Sequence, residues 1–104
     1  MIAVEGVVVP AGSEGVTLDV LKQAFRRSYE SVEFGREQWI LRLDRFRVLL
    51  ETEPRRLCVG VVVNFPAEAQ AFHDRFASEL DRWAAPGTLR TSWSENRQVP
   101  VALR

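Results

Sequence analysis

The chain is expected to fold as an α+β domain in which two helices cover one face of a mainly antiparallel sheet, in the order β-α-β-β-β-α-β(-β). Three observations predict this. Apolar residues recur at helical spacing in two segments, one beginning at Leu18 and one running to Trp83. Between them the apolar period changes to two, and its parity switches between Leu43 and Phe46. An uninterrupted apolar run from Leu57 to Val63 then has the composition and length of a central strand.

Ile2 to Val9 is rich in β-branched residues and closes at Pro10-Ala11-Gly12-Ser13, which reads as a first strand followed by a turn. Thr17 can cap a helix whose stripe is Leu18, Leu21, Phe25, Ser28/Tyr29 and Val32, with Gly35 as terminator. From Gln38, the residues Trp39, Leu41 and Leu43 share one parity and Phe46, Val48 and Leu50 the other. A hairpin turning at Asp44-Arg45 puts all six on one face, pairing Leu43 with Phe46, Leu41 with Val48 and Trp39 with Leu50. The turn has no Asn-Gly or Asp-Gly signature, so a β-bulge near residue 44 is the rival explanation.

Thr52 to Arg56 is a loop, and Leu57 to Val63 a strand buried on both faces. Asn64-Phe65-Pro66 starts a helix, with Glu68 near the positive end of its dipole. Its stripe is Ala69, Phe72, Phe76, Leu80 and Trp83, with Arg75 and Glu79 an i,i+4 pair on the polar side. Beyond Ala85-Pro86-Gly87 lie an alternating stretch, Leu89 to Trp93, a turn at Glu95-Asn96-Arg97, and a last strand at Val99 to Leu103. Pro100 confines that strand to an edge or a tail.

At 104 residues the chain fits one domain, with residues 88–104 an extended edge strand or an exchanged tail. The 46% hydrophobic and 27% charged composition is that of a globular chain. Fourteen basic and fourteen acidic residues cancel, which disfavours nucleic acid and membrane surfaces as partners. Thirteen of the basic residues are Arg, which recognises carboxylates and phosphates bidentately, so a local cluster would outweigh net charge. The single Cys58 excludes an internal disulfide, and Met1 to Pro10 lacks signal-peptide features. A cytoplasmic location is the expectation.

The residues offer no catalytic, metal or cofactor constellation. His73 is the sole histidine, its helical neighbours Ala69, Gln70, Phe76 and Ala77 are not metal ligands, and it reads as a boundary residue. Cys58 within an apolar strand should have a raised pKa and serve packing. No serine lies in a Gly-x-Ser-x-Gly elbow, and no glycine pattern forms a phosphate cradle. The turn from Pro10 to Gly15 lacks the following Lys of a phosphate-binding loop and reads as an ordinary connection. The expected functional class is non-enzymatic, with no cofactor.

The hairpin supplies the candidate site. If its six apolar residues face inward, Gln38, Ile40, Arg42, Arg47, Leu49 and Glu51 face outward, with Arg42 opposite Arg47, Ile40 opposite Leu49, and Arg45 at the tip. Like charges across a ladder are destabilising, and exposed aliphatics beside them suit docking better than solubility. Ile40, Arg42, Arg45, Arg47, Leu49 and Trp93 are therefore the candidate partner-binding residues, for an acidic protein or a second copy of the chain. A solvated outer face is the competing reading.

A helix, a three-strand meander starting near Gly35-Arg36-Glu37-Gln38, an apolar strand and a second amphipathic helix together resemble the roadblock/longin class of small scaffold domains, over roughly Thr17 to Trp83. That resemblance implies a dimerising scaffold that regulates small GTPases. The chain departs from the class in having one strand before its first helix where two are expected, and a strand-like tail after its last. The expected function is thus an interaction or regulatory module that self-associates as a homo-oligomer. The alternative is a small-ligand-binding sensor of ferredoxin-like type, with a ligand between helices and sheet.

Overall fold

The computed structural model of the chain describes residues 1–12, 18–85, 87–96 and 98–104. The elements are β1 (Ile2–Pro10), α1 (Leu18–Ser28), β2 (Ser31–Gly35), β3 (Gln38–Leu43), β4 (Phe46–Glu53), β5 (Arg56–Val63), α2 (Pro66–Trp83), β6 (Leu89–Asn96) and a 3-10 turn at Val101–Leu103. All six strands join one antiparallel sheet in the order β2-β3-β4-β5-β1-β6, with two helices, an α+β fold. β2 to β5 form a meander joined by two-residue loops, and β1 inserts between β5 and β6. Two connections therefore cross the sheet, and each carries a helix.

The hairpin register is the one the parity switch predicts: Trp39 pairs with Leu50, Leu41 with Val48, Leu43 with Phe46 and Arg42 with Arg47. A two-residue loop closes it, with Asp44 at φ 55°. Within this loop Asp44 has a positive φ and Arg45 does not, the sign pattern of a II′ turn, and Asp tolerates that region better than most side chains. The bulge lies elsewhere, between Glu33 and Gly35 of β2, where Phe34 has no cross-strand partner in β3.

One face of the sheet packs on both helices. Val4, Val8, Leu43, Val48, Leu57 and Val61 meet Leu21, Phe25, Phe72 and Phe76, all at 1% exposure or less. Phe25 stacks on Phe76 at 5.4 Å between centroids, and Phe76 on Phe72 at 5.7 Å, so aromatic contacts bridge the two helices. α2 begins where expected: Pro66 occupies the first turn and the Glu68 carboxylate accepts a hydrogen bond from the Asn64 N–H at 2.9 Å.

Several expectations are corrected. The first helix ends at Ser28, not near Gly35, and Ser31–Gly35 is a strand, which makes the meander four-stranded. Val32 matched the helical stripe, yet Ser-Val-Glu-Phe-Gly is β-branched and aromatic, and its backbone groups pair with β3. Thr17, the expected cap, lies outside the described residues, as do residues 13–15 of the Pro10–Gly15 turn, Pro86 and Arg97. β5 is central but not sealed on both faces, since Cys58 and Val62 on its outer face remain half-buried. The expected last strand at Val99 to Leu103 is a 3-10 turn capped by Pro100, which lacks the N–H a ladder needs. Residues 89–96 are an edge strand paired to β1 of the same chain, and strand pairing continues to Asn96 where a turn was expected.

Candidate interaction surface

The face of the sheet away from the helices is closed at its centre by the chain's own tail. Ala102 is buried, and the Leu103 side chain lies beside Gly60, where a Cβ would stand 3.7 Å from Leu103 Cδ1 and 3.8 Å from Leu49 Cβ. The tail thus packs on the sheet over position 60 at a distance that leaves room for a methyl group. On the β2 side of this tail the face is open. Val32 pairs with Ile40, and one step along the ladder Arg42 pairs with Arg47. These four, with Glu30 and Leu41, line a groove of about 300 Å³.

Of the six candidate residues, the structure brings three together. Ile40, Arg42 and Arg47 line the groove, both arginines are exposed, and neither belongs to an ion pair among the described residues. The other three lie elsewhere. Leu49 was expected to form an exposed pair with Ile40; it is opposite Ile40 in the ladder but 3% exposed, because the tail lies over it. Arg45 turns toward α2, 3.9 Å from Glu68 and over the Phe46 ring at 5.3 Å. Trp93 faces the helices, edge-on to Phe72 and Phe76 and stacked on His73 at 4.4 Å.

The exposed aliphatic partner of Ile40 is Val32, 66% exposed, which the extended helical stripe had placed in the core. Its signal in the sequence was the β-rich composition of residues 31–35. Glu30 was likewise absent from the expected set.

Ion pairs fix the end of the β3–β4 hairpin against α2. The Arg75 Nε donates to the Asp44 carboxylate at 2.8 Å and its Nη1 donates to Glu79. Glu79 was expected on the polar side but is 2% exposed, with Arg82 on its other flank at 3.3 Å. Burial pushes the Glu79 carboxyl up, and hydrogen bonds from Tyr29, Arg75 and Arg82 more than reverse this, leaving it below the usual carboxylate range. Burial, and then the contact with Glu79, raise the Tyr29 hydroxyl, and the two carboxylates hold Arg75 firmly protonated. This network ties the hairpin end and Tyr29 to α2.

A second concavity, of about 220 Å³, lies on the other side of the tail and is lined in part by Glu5, Glu51, Glu53, Arg56, Cys58 and Pro100. Cys58 is half-buried rather than packed into the core, and burial, then the Glu53 charge, raises its thiol pKa, opposite to what a nucleophilic thiolate needs. Between the helices and the sheet, where a ligand would sit in the alternative reading, lie the fully buried Phe25, Phe72 and Phe76. Among the described residues no three His, Cys, Asp or Glu side chains are grouped to hold a metal ion, and no helix is long and apolar enough to cross a membrane.

The arrangement can therefore offer aliphatic contact flanked by two guanidinium groups on an otherwise regular sheet face. No family pattern and no curated protein matches the chain. Among solved structures it is similar to the NMR structure of PA4090 from Pseudomonas aeruginosa, at 20% identity over 90% of this chain and 96% of that one, with a TM-score of 0.50; at this identity the likeness shows the fold alone.

Proposed function

We propose that the chain is a non-enzymatic interaction module that self-associates and presents the open half of its outer sheet face, Val32, Ile40, Arg42 and Arg47, to a protein partner. The observation that carries this reading is two exposed arginines directly across a ladder, without an ion pair among the described residues, beside a 66% exposed valine. That combination costs stability and solubility in the isolated chain, and both costs are relieved when carboxylates and apolar surface cover it. Light scattering of the wild type and of an Arg42→Glu, Arg47→Glu double variant tests it, together with a pull-down from the native extract. The variant is expected to lose an association that the wild type shows; two identical monomers, neither retaining a protein, would overturn the reading.

A further inference from the structure

On the outer face one row of cross-strand partners runs Val32, Ile40, Leu49, Gly60 across β2, β3, β4 and β5. The row is covered from one end only: Val32 is 66% exposed and Leu49 3%, because Val101–Leu103 lies over Leu49 and Gly60. Residues 98–104 grip the sheet lightly. They form no strand, Ala102 is the one buried residue among them, and Val99, Pro100 and Leu103 are half-buried. The Leu103 and Arg104 N–H groups donate to the Pro100 and Val101 carbonyls at 2.9 and 3.2 Å, and the Arg104 guanidinium donates to the Val99 carbonyl at 3.1 Å. These bonds travel with the tail, so lifting it off the sheet breaks none of them. A segment held by so few buried contacts opens locally, at a cost well below that of global unfolding.

We infer that the tail is a displaceable strap, a tethered occupant of a longer docking trough, and that the partner is an acidic segment with aliphatic side chains which lifts the tail and binds along Val32, Ile40, Leu49 and Gly60. The concavities of about 300 and 220 Å³ on the two sides of the tail, the second lined in part by Leu49, Gly60 and Pro100, become continuous when it lifts. The tail itself shows which side chains the row accepts, since Ala102 and Leu103 pack there. Its charge does not match. Arg42 and Arg47 lie two residues along β3 and β4 from Ile40 and Leu49, a spacing of roughly 7 Å, and neither has an ion pair among the described residues. The residue after Leu103 is another arginine, turned back onto Val99. A segment with a carboxylate near that place makes charge-assisted hydrogen bonds to Arg42 and Arg47 that Arg104 cannot make.

The inference rests on the partner-binding role of the open face in the proposed function and adds regulation to that same surface. A tethered competitor acts at an effective concentration of about a millimolar, so aliphatic segments of the wrong charge are excluded and only one that also engages the two arginines displaces the tail.

Native-state hydrogen exchange on the wild-type chain tests the strap directly. The Leu103 and Arg104 amides are expected to exchange at least about a hundredfold faster than those of Val48 and Val61 in the central strands; equal protection would mean that the tail leaves only when the whole chain unfolds, and overturns the inference. Titration calorimetry tests the partner chemistry. The probe is a synthetic peptide of residues 98–104 carrying Arg104→Glu, added to the full-length wild type and to full-length Leu103→Gly, whose own tail is loosened. Leu103→Gly is expected to bind it about tenfold more tightly than wild type does, and to bind the unaltered tail peptide about tenfold more weakly than the acidic one. Adding Arg42→Glu and Arg47→Glu to Leu103→Gly should remove the preference for the acidic peptide. Equal affinity for wild type and Leu103→Gly that still depends on the two arginines overturns the strap and leaves the proposed function standing. Binding indifferent to the arginines, or no binding to either chain, overturns the inference. If circular dichroism melts show that Leu103→Gly is not folded, the exchange rates of the wild-type chain decide.

Discussion

Gly6 lies directly beneath the indole of Trp93, its neighbour across the β1–β6 ladder: a Cβ at position 6 would stand 2.5 Å from Trp93 Cζ3 and 2.8 Å from its Cε3. The glycine is what allows Trp93 to lie flat over β1 and meet Phe72, Phe76 and His73 of α2. Gly6→Ala is expected to cost about 1–3 kcal/mol by overpacking, read by urea denaturation, because an indole wedged between sheet and helix has little room to give.

Gly60 makes the opposite case on the other face. Its added Cβ meets Leu103 and Leu49 at ordinary contact distance, and its backbone needs no positive φ. Gly60→Ala should therefore be neutral or stabilising by up to about 0.5 kcal/mol, through a less flexible unfolded chain and added contact with the tail. Measuring both variants in one denaturation series separates close approach from generic strand preference.

Asp44 holds a left-handed backbone and the Arg75 guanidinium at once. Asp44→Ala removes the ion pair and leaves a Cβ-bearing residue with no local hydrogen-bonding group at φ 55°, an expected loss of about 1.5 kcal/mol. Asp44→Asn keeps the tolerance of that backbone region and should lose only about 0.5 kcal/mol. Equal losses in the two variants would show that the ion pair, not the turn, dominates.

Glu79→Gln should cost about 2 kcal/mol at pH 7, less than breaking a wholly buried pair because Arg75 and Arg82 are 31% and 61% exposed. The pH dependence follows from the lowered folded pKa. The unfolded chain binds a proton near the ordinary value of 4.5 while the folded one resists it, so the stabilisation is complete above that pH and is lost as pH falls through the lower folded value. Between pH 7 and pH 3 the stability difference between wild type and Glu79→Gln is expected to shrink, as monitored by thermal unfolding at each pH.

Arg42 and Arg47 repel across the ladder, so Arg47→Glu converts a like pair into an opposite one. A gain of about 0.5 kcal/mol in chain stability is expected, accompanied by weaker partner binding. Stability and association moving in opposite directions would mark the pair as kept for interaction.

Much of the fold is legible in the sequence because burial imposes a period. The parity switch from Leu43 to Phe46 marks the hairpin and which residues share its inner face, since a one-residue slip turns one of its two apolar sets to solvent, and the structure closes it with the two-residue loop. The stripe from Ala69 to Trp83 and the Asn64-Phe65-Pro66 start likewise determine α2. At residues 31–35 the same reasoning misleads, because a single valine matches a helical step, while five residues are too few to display a strand period.

What only the tertiary structure decided is which partner covers each apolar residue. Leu49 has the alternation of an outward residue and is buried, because a tail more than fifty residues later folds back over it. Trp93 and Arg45 have interface composition, yet α2 engages both. Val32 is left exposed because, among the described residues, no element packs over the outer face at β2. Periodicity reports that a side chain needs cover within its own element; whether the chain itself or another molecule supplies that cover depends on contacts distant in sequence, which no local pattern encodes.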